Sequence, residues 1–122
     1  GYVYKITPPE GQRISYLSNY YVYTTPATKK INGFLAFKDY SSAEECQKTQ
    51  TQFFDVVKNT YGQNNLNQSA GYISDKDNPN VGIKIECADN RLIFNNLDMT
   101  LTEQAIKENK SIEDQNVKLQ RQ

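Results

Sequence analysis

Cys46 and Cys87 are the residues of this chain whose types and spacing suggest the most definite chemistry. No Cys-x-x-Cys occurs, and nothing in the sequence marks either sulfur as an exposed thiolate of low pKa, so redox catalysis has no support. Two buried free thiols or one structural disulfide remain. A bridge would close a loop of about 40 residues and stabilise the fold by roughly 4 kcal/mol on the chain-entropy account. It would also place the protein in an oxidising compartment, which means export.

Histidine is absent from the 122 residues. That removes Ser-His-Asp and Cys-His nucleophilic systems, imidazole acid–base work and histidine metal sites together. Two cysteines without histidine are also an inadequate ligand set for structural zinc. Any catalysis would rest on carboxylates, Tyr or Lys. Asp39, Asp55, Glu44, Glu45, Asp75, Asp77 and Glu86 are the acidic candidates, and solvation of the surface accounts for them more simply. The run from Asp75 to Glu86 puts acids at positions 1, 3 and 12 of a calcium loop. Pro79, Asn80 and Gly82, however, stand where an oxygen ligand, the turn glycine and an apolar residue are required. The expectation is a protein that is not an enzyme, with no cofactor and no metal.

Nine Tyr, five Phe and no Trp are a large aromatic set for so short a chain. Tyr16, Tyr20, Tyr21 and Tyr23 crowd one segment and cannot all be covered by a thin core. Surface tyrosine favours protein interfaces, so these four are the expected partner-binding residues. Lys plus Arg equals Asp plus Glu at 14 each, so no long-range field attracts nucleic acid. No apolar run reaches the roughly 18–20 residues of a membrane span. The amide count is high, with 23 Asn plus Gln, and the hydrophobic fraction is only 37%. Asn67-Gln68-Ser69 and Asn109-Lys110-Ser111 match the glycosylation sequon, which matters only in a eukaryotic secretory pathway.

The elements that position these residues follow from period and punctuation. Tyr2–Ile6 reads as a short strand or extended arm, and Arg13–Thr25 as a strand, whole or broken near Ser18-Asn19, with Tyr16 and Tyr20 on one face and Tyr21 and Tyr23 on the other. Lys30–Asp39 is the clearest strand, apolar on both faces as in a doubly covered position, with Asn32-Gly33 a bulge or part of a turn. Ser42 and Glu45 have capping-box spacing and open a helix that runs to Tyr61 and stops at Gly62. Cys46, Phe53, Val56 and Val57 form its inward stripe.

Gln63–Asn80 reads as irregular, with Tyr72-Ile73 a short strand or apolar anchor. Val81–Cys87 and Arg91–Asn95 form a hairpin across Ala88-Asp89-Asn90, with Cys87 facing inward. Thr100 and Glu103 offer a second capping box for a C-terminal helix, whose Ala105, Ile112 and Leu119 are seven residues apart. The expected fold is α+β: an antiparallel sheet of about four or five strands, the Ser42–Tyr61 helix packed on one face, and a C-terminal helix. Residues 1–98 form one domain and 99–122 a helical extension.

The strand leading through Ser41-Ser42 into a Cys-bearing helix, with a second Cys on a later strand, resembles an arrangement common in small exported bacterial proteins. Ile6-Thr7-Pro8-Pro9-Glu10-Gly11 is similar to the extended segments that follow the anchor of some bacterial lipoproteins. A chain starting Gly-Tyr-Val-Tyr is compatible with a removed signal or with a lipid anchor upstream of Gly1, and equally with an arbitrary boundary. These features suggest a non-catalytic protein-binding module of the bacterial envelope or extracellular space: periplasmic, anchored at the outer membrane, or secreted. Its partner would be another protein. The alternatives are an inhibitor or immunity protein that blocks an enzyme, and a small hydrolase using carboxylates or Tyr.

Overall fold

The computed structural model describes residues 2–61, 66–69 and 72–121. In chain order the elements are β1 (Tyr2–Ile6), β2 (Asn19–Thr24), β3 (Ile31–Asp39), α1 (Ala43–Tyr61), β4 (Leu66–Ser69), β5 (Tyr72–Asp75), β6 (Asn78–Ala88), β7 (Arg91–Asp98) and α2 (Met99–Arg121). The strands form one sheet of order β1-β2-β3-β7-β6-β5-β4 in which every pairing is antiparallel. Two meanders, β1–β3 and β4–β7, thus meet along β3 and β7, and α1 is the crossover between them. The α+β class agrees with the sequence.

The strand count exceeds the expected four or five because the amide-rich stretch after α1 contributes β4 and β5. Its residues lack apolar alternation, yet β5 pairs with β6 and β4 with β5, which gives their backbone groups partners. The segment from Asp75 to Glu86 is two strands around a Lys76-Asp77 turn, whereas a calcium loop lies between helices. Gly62 lies outside the described residues, as does the side chain of Leu119. No described helix is long and apolar enough to cross a membrane.

Register divides the side chains of the sheet cleanly. Tyr20, Ala36, Phe94, Ile85 and Ile73 lie on one face, and Leu92 and Ile83 flank them. All seven are buried, and α1 covers this face. Phe53 of α1 sits 5.4 Å from Phe94, and the Gln50 amide donates to the Ile85 carbonyl at 3.0 Å. Cys46 and Cys87 are bonded, with Cα atoms 6.2 Å apart across 41 residues. Cys46 is fully buried, so the bridge ties the first turn of α1 to the end of β6.

α1 begins as its sequence prescribes, with one modification. Ser42 Oγ accepts from the Glu45 N–H at 3.1 Å, which is the forward half of the capping box. The return half reaches one residue further back, where Glu45 accepts from both the N–H and the hydroxyl of Ser41. Those bonds hold its carboxyl below the usual range.

α2 corrects the sequence reading of its start. Asp98 is the N-cap, its Oδ1 accepting from the Leu101 N–H at 2.9 Å. Thr100 instead donates its N–H to Asn80 Oδ1 at 3.1 Å, and its hydroxyl bonds the same oxygen. The first part of α2 docks on the fold: Ala105 is buried, Asn32 Nδ2 donates to Thr102 Oγ1, and Glu108 accepts from the N–H groups of Ala27 and Thr28. Residues 111–117 are all exposed.

Candidate functional site: the open face of the sheet

Among the described residues, α1 covers only the first face of the sheet. The second face carries Tyr21 and Tyr23 of β2, Leu35 and Phe37 of β3, and Ile93 and Leu97 of β7, in the register Tyr21–Leu35–Asn95, Tyr23–Gly33–Leu97 and Asn19–Phe37–Ile93. No described residue of this face that has a side chain is buried. Lys30–Asp39 is therefore covered on one side only, unlike the doubly covered strand its apolar run suggests. Six apolar or aromatic side chains, each half-buried by its neighbours, form one continuous surface.

Local contacts hold that surface in shape. Tyr21 and Phe37 stack with ring centroids 5.9 Å apart and planes 9° from parallel. The Arg91 guanidinium carbon lies 4.1 Å from the Phe37 centroid. Arg91 is itself fixed by Asp39, through Nε at 2.7 Å and an Nη at 3.1 Å. This two-point pairing lowers the Asp39 pKa and raises that of Arg91. Partial burial pushes the Tyr23 phenol up, so it is neutral at physiological pH. Toward β6 the surface becomes polar, ending at Lys84 and Glu86, which pair at 3.4 Å.

The structure separates the four tyrosines singled out in the sequence. Tyr21 and Tyr23 lie on the open face. Tyr20 is buried on the helix side, where its hydroxyl accepts from the Ile14 N–H at 3.0 Å and lies 3.1 and 3.2 Å from the carbonyls of Ile14 and Leu17. It thereby pins the turn before β2. Tyr16 is half-buried with its ring 5.3 Å from Phe53, and its carbonyl accepts from the Tyr40 hydroxyl at 2.8 Å. Leu35, Phe37, Ile93, Leu97 and Arg91 complete the open face and were not singled out. Their signal was period-two parity in β3 and β7, but parity does not say which face a helix will cover.

Among the described residues, concavities adjoin the sheet at two places. A cleft of about 230 Å³ under the second half of α1 is lined by Tyr16, Phe53, Val57, Ile83 and Phe94 among others. A crevice of about 360 Å³ lies beyond β1 and the start of β2. Neither has a carboxylate among its described lining residues. Asp39, Glu45 and Glu86 are engaged by Arg91, Ser41 and Lys84, and Glu44 and Asp55 lie exposed on α1. No group of three or more metal-ligating side chains occurs among the described residues. Comparison with family models, curated proteins and solved structures finds no match.

Proposed function

We propose that this protein is a non-catalytic binding module of the bacterial envelope or extracellular space, and that its open sheet face docks another protein. One observation carries the reading: a single sheet has one face sealed by α1 and the other left with six half-buried apolar and aromatic side chains. Antiparallel sheets that face water normally alternate apolar-in with polar-out. Here six outward positions of β2, β3 and β7 are aromatic or aliphatic instead, beside the polar Asn19, Asn95, Asp39 and Arg91. Tyrosine and arginine among them, with few uncompensated charges, match the composition of interface centres. The bridge between α1 and β6 suits an oxidising compartment. Function within the envelope, and any lipid anchor, belong to this proposal.

The test is co-purification from the native envelope fraction with Tyr21→Ala/Tyr23→Ala beside the unaltered protein. A partner that is retained by the unaltered protein and lost by the folded double variant supports the reading. Equal retention by both would remove the open face as the docking surface.

A further inference from the structure

The edge of the sheet at β1 is open. Among the described residues no strand lies beyond β1, which pairs with β2 alone. Register places Tyr2, Tyr4 and Ile6 on the helix side with Tyr20, and Val3 and Lys5 on the open face beside Tyr23 and Tyr21. α1 packs chiefly on β6 and β7, so neither side of β1 is sealed: Tyr2, Val3 and Tyr4 are 48%, 53% and 47% exposed. Edge strands are normally blunted by proline, by charge, by a bulge or by a covering loop. β1 pairs with β2 without a register shift, contains no proline, and has Lys5 near its end as its one charge. The other edge, β4, has four residues, two of them amides.

We propose that the β1 edge takes the β1 strand of a second copy of this chain, antiparallel, with Tyr4 on the twofold axis. An antiparallel pair of identical strands has its axis at a residue that faces itself, and each side of the sheet continues across it. With Tyr4 at that point all five residues of β1 pair: Tyr2 meets Ile6, Val3 meets Lys5, and Tyr4 meets Tyr4. An axis at Lys5 would set two ammonium groups face to face, and an axis at Val3 would leave Ile6 without a partner. The sequence of β1 thus favours one register, in which aromatic and aliphatic side chains meet and no like charges oppose each other. The two open faces then run together, with Val3 and Lys5 of both copies lying between their Tyr21–Tyr23 pairs. A pairing of five residues is small beside a standard interface, so the association should be reversible. The inference goes beyond the open-face reading and stands without it.

Sedimentation equilibrium of the full chain should show the mass rising with concentration from 14.0 kDa to twice that value. Tyr4→Glu and Tyr4→Lys each set like charges across the axis and should weaken dimerisation by about fivefold to tenfold. Mixed in equal amounts they should restore it, because the two substituted side chains then carry opposite charges. A variant that merely failed to fold would not be rescued in this way. A mass that stays at 14.0 kDa up to about millimolar chain would overturn the proposal, as would a mixture no more dimeric than its components. If Tyr21→Ala/Tyr23→Ala abolishes the dimer and Tyr4→Glu does not, the copies meet through their open faces and the β1 pairing falls. A chain that stays monomeric but loses a co-purified protein on Tyr4→Glu gives the edge to another protein's strand, which also overturns the proposal.

Discussion

Leu97 lies across the backbone of Gly33: its Cδ2 is 2.5 Å from the point a Cβ on Gly33 would occupy. The Tyr23 ring is 3.1 Å from the same point, on the other side, and the Asn96 carbonyl oxygen is 3.2 Å away. Gly33 is thus the seat on which two side chains of the open face rest. Its need is for space in the sheet, since its backbone shows no positive φ. The adjoining bulge, where Thr24 pairs with Ile31 and Tyr23 with Gly33, leaves Asn32 as the extra residue.

Gly33→Ala should displace Leu97 and Tyr23 and destabilise the fold by about 1–3 kcal/mol, the usual cost of inserting a methyl into filled space. Chemical denaturation reads the loss. The variant should also weaken partner retention more than its stability loss alone would, because both displaced side chains belong to the docking surface. An unchanged midpoint and unchanged retention would contradict this account of the row.

Replacing both cysteines by alanine should remove up to about 4 kcal/mol, the loop-closure contribution for 41 residues. In a chain of this size that lowers Tm by about 10–20 °C. Reduction with a strong thiol reductant should reproduce the shift in the unaltered protein and leave the double variant unaffected.

Glu108 ties α2 to the β2–β3 turn, and its pKa is lowered. Burial pushes it up, but the bonds from the Thr28 N–H and hydroxyl, the Ala27 N–H and Gln104 together outweigh that. A folded pKa below the unfolded one gives a contribution that is full above the ordinary glutamate value, about 4.3. It is lost as pH falls through the lower folded value. Hydrogen-exchange protection of the Ala27 and Thr28 amides should therefore drop on acidification below about pH 4. In Glu108→Gln protection should already be reduced at neutral pH and should respond less to acid.

Asp98→Ala should cost about 1 kcal/mol by removing the α2 N-cap, measured as a shift in the denaturation midpoint. The same residue accepts from Asn80 Nδ2 at 2.9 Å, so the losses from Asp98→Ala and Asn80→Ala should sum to more than the loss in the double variant. Glu103→Ala, at the position expected to close a capping box with Thr100, should be close to neutral.

Ser42 and Glu45 were readable as a helix start because cap geometry is local to four residues. The facing positions of Cys46 and Cys87 were readable because each follows from a period, 3.6 for the helix and two for the strand. Asp98 was hidden by Thr100, whose spacing to Glu103 is equally good on paper. The choice was made by Asn80, a distant residue that engages Thr100. β4 and β5 were hidden for a related reason: β5 is placed by pairing with β6 and by Ile73 in the core, neither of which is local to the segment, and β4 by pairing with β5. The open face was half legible. Alternation put Tyr21 and Tyr23 opposite Tyr20, but only the docking of α1 decides which set meets water.

The Cys46–Cys87 bond also fixes the fate of a broken chain. The 40 residues between the two sulfurs include most of α1, all of β4 and β5, and most of β6. A protease that cuts anywhere among them yields two fragments that stay covalently attached. The N-terminal piece would keep β1–β3 and the C-terminal piece β7, so the β3–β7 seam could still hold the sheet together. Such a nick changes the electrophoretic pattern only after reduction, and the molecule can be cut there while remaining one particle.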